Sequence, residues 1–214
     1  MVQISTDEVF GSLSSGTATE ASKFNPSSPY AATKAAAELL INSYCVTHDS
    51  DVIITRCTNN YGPRQFAEKL IPKTIILASQ NKKIPIYGNG TNVRDWIYVD
   101  DHCDAVLLTL LNGKKGESYN ISANNEVDNL TIVKKILEIM NKSEDLIEFV
   151  EDRPGHDFRY SMDSTKISNK LGWKIKSSFD EGLEKTVRWY LDNPELLNNI
   201  SATVLEPTPW KSSN

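Results

Sequence analysis

Met1-Val2-Gln3-Ile4-Ser5-Thr6-Asp7-Glu8 runs from an extended apolar segment straight into a hydroxyl and two carboxylates. A strand that delivers polar groups at its carboxyl end is how an open α/β sheet presents a site. Alternate residues of a strand face opposite ways, but at its end the chain can turn and aim several side chains inward. A Gly/Ser/Thr-rich loop follows from Gly11 to Thr19, and then Asn25-Pro26-Ser27-Ser28-Pro29. Ser28 is a good N-cap and Pro29 a good first helical residue. A helix is therefore predicted through the alanine-rich stretch from Tyr30 to about Thr47, where Ala35 to Leu40 are strong helix formers. Asp51 to Arg56 is short, apolar and β-branched, as a buried parallel strand is. Strand, helix, strand is the beginning of a doubly wound α/β sheet.

Further along, Asn59-Asn60-Tyr61-Gly62-Pro63 is a turn cluster, and a helix is expected near Lys69 to Gln80. Ile84 to Tyr87 and Val93 to Tyr98 flank Gly88-Asn89-Gly90 and are expected to pair around a tight loop. Helices are expected over Asp100 to Leu111, Leu130 to Met140 and Asp180 to Leu191, with a short strand at Ser118 to Ile121. Residues 194–214 read as an irregular tail. This second part has the texture of a smaller mixed α/β lobe.

The 214 residues carry 23 Lys and Arg against 28 Asp and Glu, a formal charge of −5. That balance argues against nucleic acid or an anionic membrane as partner. With 39% apolar and 24% charged residues the chain has a globular composition. Apolar stretches such as Ala105 to Leu111 fall well short of the ~20 residues of a membrane helix. No charged-then-apolar leader opens the chain, so export is not expected. Cys45, Cys57 and Cys103 are odd in number and lack C-x-x-C spacing, which suits a reducing, cytoplasmic setting. No metal-ligand spacing links His48 and His102, which read as surface or structural residues.

Tyr30 and Lys34 lie four apart, so a helix puts phenol and ammonium on one face. A phenol of pKa ~10 is a poor base at neutral pH, and a neighbouring cation lowers that value. The pair could then take a proton from an alcohol. The same spacing equally describes a half-buried tyrosine and a solvated lysine. Asp7 and Glu8 beside Thr6 could divide acid and base roles if their environments separate their pKa values. By themselves they could equally form an exposed acidic turn.

Taken in order, these segments resemble the extended short-chain dehydrogenase/reductase family, and within it the dTDP-glucose 4,6-dehydratases. The resemblance rests on Ile4 to Gly11, Ser28 to Ala35, Arg56 to Gln65, Glu68 to Pro72, Tyr87 to Gly90 with Arg94-Asp95-Trp96, and Asp152 to Tyr160. It continues at Leu171-Gly172-Trp173 and Thr186 to Tyr190. The fold implied is a partial doubly wound parallel, Rossmann-like sheet plus a smaller mixed α/β substrate-binding lobe. The resemblance implies a sugar oxidised at its 4-hydroxyl, with Tyr30 as base, Lys34 tuning it and Thr6 bonding the hydroxyl. Glu8 would remove the carbon-5 proton while Asp7 protonates the leaving 6-hydroxyl. NAD would be held by Tyr30, Lys34 and Asn60. A nucleotide sugar, dTDP-glucose by resemblance, would be held by Asn59, Lys69, Leu70, Pro85, Ile86, Tyr87, Arg94, Asn129, Arg153 and His156. Arginine suits a diphosphate because its planar fork pairs two oxygens at once. Simpler roles are open: Arg94 pairing with Asp95 or Asp101, and Asn129 capping the helix after it. Related 4-epimerases lack the Asp-Glu pair. Phe10 and Ala67 stand where the family usually has Tyr and Pro.

A dinucleotide site also needs a glycine-rich turn between a strand and a helix, where close backbone approach holds the pyrophosphate. The chain has no such turn; Gly88-Asn89-Gly90 is followed by a strand. The resemblance places that motif ahead of the Ser-Thr-Asp-Glu strand. The expectation is therefore a chain that carries the second half of the cofactor domain in residues 1–62 and a mainly nucleotide-sugar-binding lobe in 63–193, some of whose elements return to the sheet. A homodimer is implied for the longer form, paired through the Tyr30 helix. A non-catalytic nucleotide-sugar-binding module, or a related nucleotide-sugar dehydratase or epimerase, is the alternative.

Overall fold

The computed structural model describes residues 1–195 and 200–208. It divides into two compact units, Met1–Asn60 with Val93–Glu126 and Asp157–Ser177, and Tyr61–Asn92 with Val127–His156 and Ser178–Asn214. Two short strands, β3 (Asn59–Tyr61) and β7 (Glu126–Asp128), lie where the chain crosses from one unit to the other.

The first unit is built on a parallel sheet of β1 (Val2–Thr6), β2 (Ile53–Cys57) and β6 (Ser118–Ile121), in the order β1-β2-β6. Val2 stands opposite Ile53 and Thr6 opposite Cys57, and Cys57 in turn opposite Ile121, so strand ends are level where the chemistry-bearing residues emerge. Parallel neighbours need long crossovers. These contain α1 (Pro29–His48) and, between β2 and β6, α3 (Val99–Asn112). The strand β5 (Val93–Tyr98) and the helix α5 (Thr165–Leu171) complete the unit. Ile53, Ile97, Ala105, Tyr119, Ile121, Ile167 and Trp173 form its larger core.

Helix α1 starts as its sequence requires, with Ser28 Oγ accepting from the Ala31 amide at 3.1 Å and Pro29 in the first turn. Its buried stripe is Ala31, Ala35 and Glu38. The glutamate, a simple helix former in sequence terms, meets Arg56 of β2. Arg56 Nε lies 3.0 Å from both carboxylate oxygens and Nη2 lies 2.7 Å from Oε2. The guanidinium also stands over the Phe10 and Phe24 rings, 5.1 and 5.3 Å from their centroids. A buried ion pair survives when its remaining polar surface is satisfied, and here aromatic faces and fork geometry do that.

In the second unit, β4 (Ile84–Tyr87) pairs in parallel with β8 (Ile147–Val150). Around them lie α2 (Leu70–Ser79), α4 (Asn129–Ile139) and α6 (Phe179–Asp192), over a core of Leu77, Ala78, Ile84, Ile86, Val133 and Leu137. Helix α6 opens with a reciprocal capping box between Ser178 and Glu181.

The expected β4–β5 hairpin does not form. Gly88 and Gly90 do take the positive φ of a turn, 59° and 76°. The loop then spends its carbonyls on the first turn of α4, Gly90 O accepting from the Leu130 amide at 3.1 Å and Asn92 O from that of Asn129 at 3.2 Å. That leaves β4 to pair with β8, whose short Ile-Glu-Phe-Val run carries little strand signal of its own. The described part of the tail contains a short 3-10 turn, Ala202–Leu205, and Lys73 Nζ donates to the Glu206 carbonyl at 2.7 Å. Residues 196–199 and 209–214, part of the expected tail, lie outside the described residues.

Candidate active site

At the end of β1 the chain winds into a 3-10 turn, Asp7–Phe10, with Thr6 as its N-cap. Thr6 Oγ1 donates to Asp7 Oδ1 at 3.1 Å and accepts from the Glu8 amide at 3.3 Å. The turn separates the two carboxylates: Asp7 is 4% exposed, while Glu8 is only half-buried. Asp7 Oδ2 accepts no hydrogen bond among the described residues. Burial, reinforced by Glu8, pushes the Asp7 carboxyl up to about 7, although Thr6 and Arg94 pull the other way. Asp7 is thus an acid that keeps its proton near neutrality.

Tyr30 stands in the first turn of α1, 53% exposed. Its phenol lies above the usual range, first through partial burial and then through Glu8, Cys57 and Asp7, with a hydrogen bond from Thr6 opposing them. The cation expected to lower it is engaged elsewhere, since Lys34 Nζ donates to the Ile4 carbonyl at 2.8 Å. Burial first, and then Glu8, Cys57 and Asp7, rather than the lysine, set the phenol in the chain as it stands. Cys57 Sγ lies 3.5 Å from the Ser5 carbonyl, and burial pushes its thiol up to about 12. Asn59 and Asn60 are half-buried beyond the end of β2, with Asn60 Nδ2 donating to Thr58 O at 3.1 Å.

Arg94, on β5, is 5% exposed. Asp95 accepts from the Ala123 and Asn125 amides and the Ser122 hydroxyl, and Asp101 from the Lys176 and Ser177 amides. Arg94 Nη1 donates to the Val93 and Phe158 carbonyls at 2.7 and 3.1 Å, and Nη2 to that of Asp157 at 2.8 Å. Its guanidinium stacks 4.4 Å above the Tyr160 ring. His102, in α3, is buried without a charged partner and its imidazole is pushed down to about 4, so it stays neutral. His48 is exposed beside Tyr44.

The second unit carries the remaining candidates. Lys69, the N-cap residue of α2, is exposed and its ammonium lies 3.9 Å from Glu68; Leu70 follows it, half-buried. Pro85 and Ile86 are buried in β4, which leaves only their main chain to a ligand. Tyr87 is half-exposed and meets the His156 ring edge-on, centroids 6.4 Å apart. Asp152 Oδ1 accepts from His156 Nδ1 at 2.6 Å and from the Arg153 amide at 2.8 Å. Arg153 itself is exposed. Asn129 opens α4, but Asp128 caps it, accepting from the Thr131 amide at 2.8 Å. Sequence reading gave no role to Asp157 and Tyr160, although both stand in the Arg-Pro-Gly-His-Asp stretch and its continuation.

A parallel sheet whose first strand ends in Ser-Thr-Asp-Glu, followed by a helix with Tyr and Lys one turn apart, defines the Rossmann-like dehydrogenase/reductase class. A family model described as GDP-mannose 4,6 dehydratase matches residues 1–186, and the chain belongs to that family. It is 48% identical over 192 residues to a dTDP-glucose 4,6-dehydratase from Streptomyces niveus, covering 90% of this chain and 57% of that one. A solved dTDP-glucose 4,6-dehydratase from Bacillus anthracis, in complex with NAD, superposes with a TM-score of 0.88 at 46% identity, over 91% of this chain and 62% of the other. A UDP-glucuronic acid 4-epimerase from Bacillus cereus gives 0.85 at 29% identity, over 90% and 61%. The chain thus spans roughly three fifths of the length of the relatives it matches, between the 57% and 62% just given.

Proposed function

We propose that this chain carries the catalytic residues and nucleotide-sugar lobe of a dTDP-glucose 4,6-dehydratase. The observation that carries the reading is the division between adjacent carboxylates: a buried Asp7 with a carboxyl near 7, and a half-buried Glu8 beside it. Elimination of water from a sugar needs an acid for the leaving hydroxyl and a separate base for the carbon proton. Tyr30 takes the proton of the 4-hydroxyl while Thr6 bonds that oxygen. Glu8 takes the proton of carbon 5, acidified by the adjacent ketone, and Asp7 gives its proton to the departing 6-hydroxyl. NAD, when held by Tyr30, Lys34 and Asn60, would supply reversible hydride chemistry between carbon 4 and carbon 6 of the sugar, and Glu8 would return a proton to carbon 5.

The residues fit one end of that cofactor. Lys34 and the half-exposed Tyr30 sit at the carboxyl end of β1, where a nicotinamide riboside would need a donor and a phenol; Asn60 lies at the end of the neighbouring strand. No strand-to-helix glycine-rich turn for the pyrophosphate occurs among the described residues. By the same resemblance Lys69, Leu70, the β4 main chain and Tyr87 would hold the nucleotide, Arg94, Asn129, Arg153 and His156 would grip the diphosphate and its sugar, and Asn59 would contact the substrate. A 4-epimerase has no use for the Asp-Glu pair, and identity to the solved 4-epimerase is 29% against 46% for the dehydratase. Leu39, Leu40 and Val46 are exposed on α1 and support pairing of two copies there. Three free cysteines support a reducing cytoplasmic setting. No described helix is long and apolar enough to cross a membrane.

The test is product NMR. The chain, and the chain fused behind the preceding residues of the Streptomyces niveus relative, are incubated with NAD and dTDP-glucose. Conversion of the carbon-6 hydroxymethyl signal into a methyl doublet supports the proposal. Inversion at carbon 4 with the hydroxymethyl group retained, or no turnover by the fused protein, overturns it.

A further inference from the structure

Asp157 is 8% exposed and joins segments far apart in the chain. Its Oδ2 accepts from the Ser27 hydroxyl, 130 residues away, and from the Tyr160 hydroxyl at 2.5 Å. Its main-chain carbonyl accepts from Arg94 at 2.8 Å, and Arg94 also lies over the Tyr160 ring. Ser27 immediately precedes Ser28, the N-cap of α1, and Tyr30 stands in the first turn of that helix. The carboxylate therefore holds the helix start that carries the phenol, while Tyr160 holds the carboxylate and Arg94 holds the main chain of Asp157. Hydrogen bonds to a buried charged group are the strong ones, so this tie resists slippage.

We propose that Asp157 is a positioning residue: through Ser27 it fixes the Tyr30 phenol against Glu8 and Asp7. The inference rests on the dehydratase reading only for the role of Tyr30 as base; the geometry of Tyr30 can be read without turnover.

The main variant is Ser27→Ala, which removes one hydroxyl from a loop and leaves Asp157 bonded to Tyr160; Asp157→Asn is the second. The probe is acetylation by N-acetylimidazole at pH 8, followed by peptide mass spectrometry. Tyr44, on the same helix and 52% exposed, is the internal reference for Tyr30 at 53%. Release of the helix start frees the phenol from the burial, and from the neighbouring Glu8, Cys57 and Asp7, that hold it above its usual range, so its phenolate fraction rises. The Tyr30/Tyr44 rate ratio should rise about threefold or more in Ser27→Ala. Ser27→Thr should restore the wild-type ratio. General loosening of the helix raises both rates and leaves the ratio unchanged. A ratio that rises less than threefold in both Ser27→Ala and Asp157→Asn overturns the proposal, whether or not the protein turns over dTDP-glucose. In the fused enzyme, Ser27→Ala should lower kcat with KM unchanged.

Discussion

Asp7→Asn should make the protein more resistant to rising pH while disabling it as an acid. The Asp7 carboxyl stands at about 7 in the folded chain and at 3.8 when free, because the fold buries it beside Glu8. A raised carboxyl binds its proton more tightly folded than unfolded. Its contribution to stability is therefore complete below about pH 4 and is lost as pH rises through 7. Between pH 5 and pH 8.5 the loss covers two of those pH units, about 3 kcal/mol at 1.36 kcal/mol per unit. Asparagine has nothing to ionise. Relative to Asp7→Asn, wild type should thus lose about 3 kcal/mol over that interval, a melting-temperature change of roughly 6–12 °C for a chain of this size. Thermal or urea unfolding of both proteins at the two pH values measures the difference. Parallel pH profiles would show that Asp7 ionises freely in the native state, and the division of labour between the carboxylates would fall with it.

Removing one partner of the buried pair, by Arg56→Met or Glu38→Ala, should cost about 3–5 kcal/mol in urea unfolding, because a lone charge is left inside. Arg56→Met combined with Glu38→Ala should cost clearly less than the sum of the two single variants, and strict additivity would refute the pairing. Gly90→Ala should destabilise by about 1–3 kcal/mol, since its Cβ would meet Ile86 at 2.8 Å and Leu130 at 3.0 Å at a φ of +76°. Gly116→Ala, at +74° in open space, should cost only the backbone strain of about 1 kcal/mol. Equal melting temperatures for these two variants would contradict the packing of the Gly88–Gly90 loop on α4. Tyr30→Phe in the fused enzyme should lower kcat by about 10²–10⁴-fold, with little change in nucleotide binding by calorimetry.

Local signals carried most of the first unit. Ser28-Pro29 marked the start of α1, and the β-branched run at residues 53–56 marked β2, because caps and strands are decided by neighbours in the chain. Long-range choices were hidden. The partner of β4 lies some sixty residues on, in a strand with both faces mixed, and only the loop's commitment to α4 reveals why a hairpin fails. Glu38 and Arg56 each had an ordinary local reading, and their pairing depends on the crossover that lays α1 against β2. The candidate catalytic residues were legible as a motif, whereas the inversion of the expected tuning at Tyr30 was not. It follows first from the partial burial of the phenol, then from where the 3-10 turn puts Glu8 and Asp7, and from the bond that Lys34 makes to Ile4.

The central claim is that Glu8 removes a carbon-bound proton while Asp7 supplies one to oxygen. Turnover of dTDP-glucose by the fused enzyme in D₂O tests it directly. The account predicts a 6-deoxy product carrying solvent deuterium at carbon 5, with turnover and exchange both lost in Glu8→Gln. A product that forms without deuterium at carbon 5, or full exchange in Glu8→Gln, would contradict it.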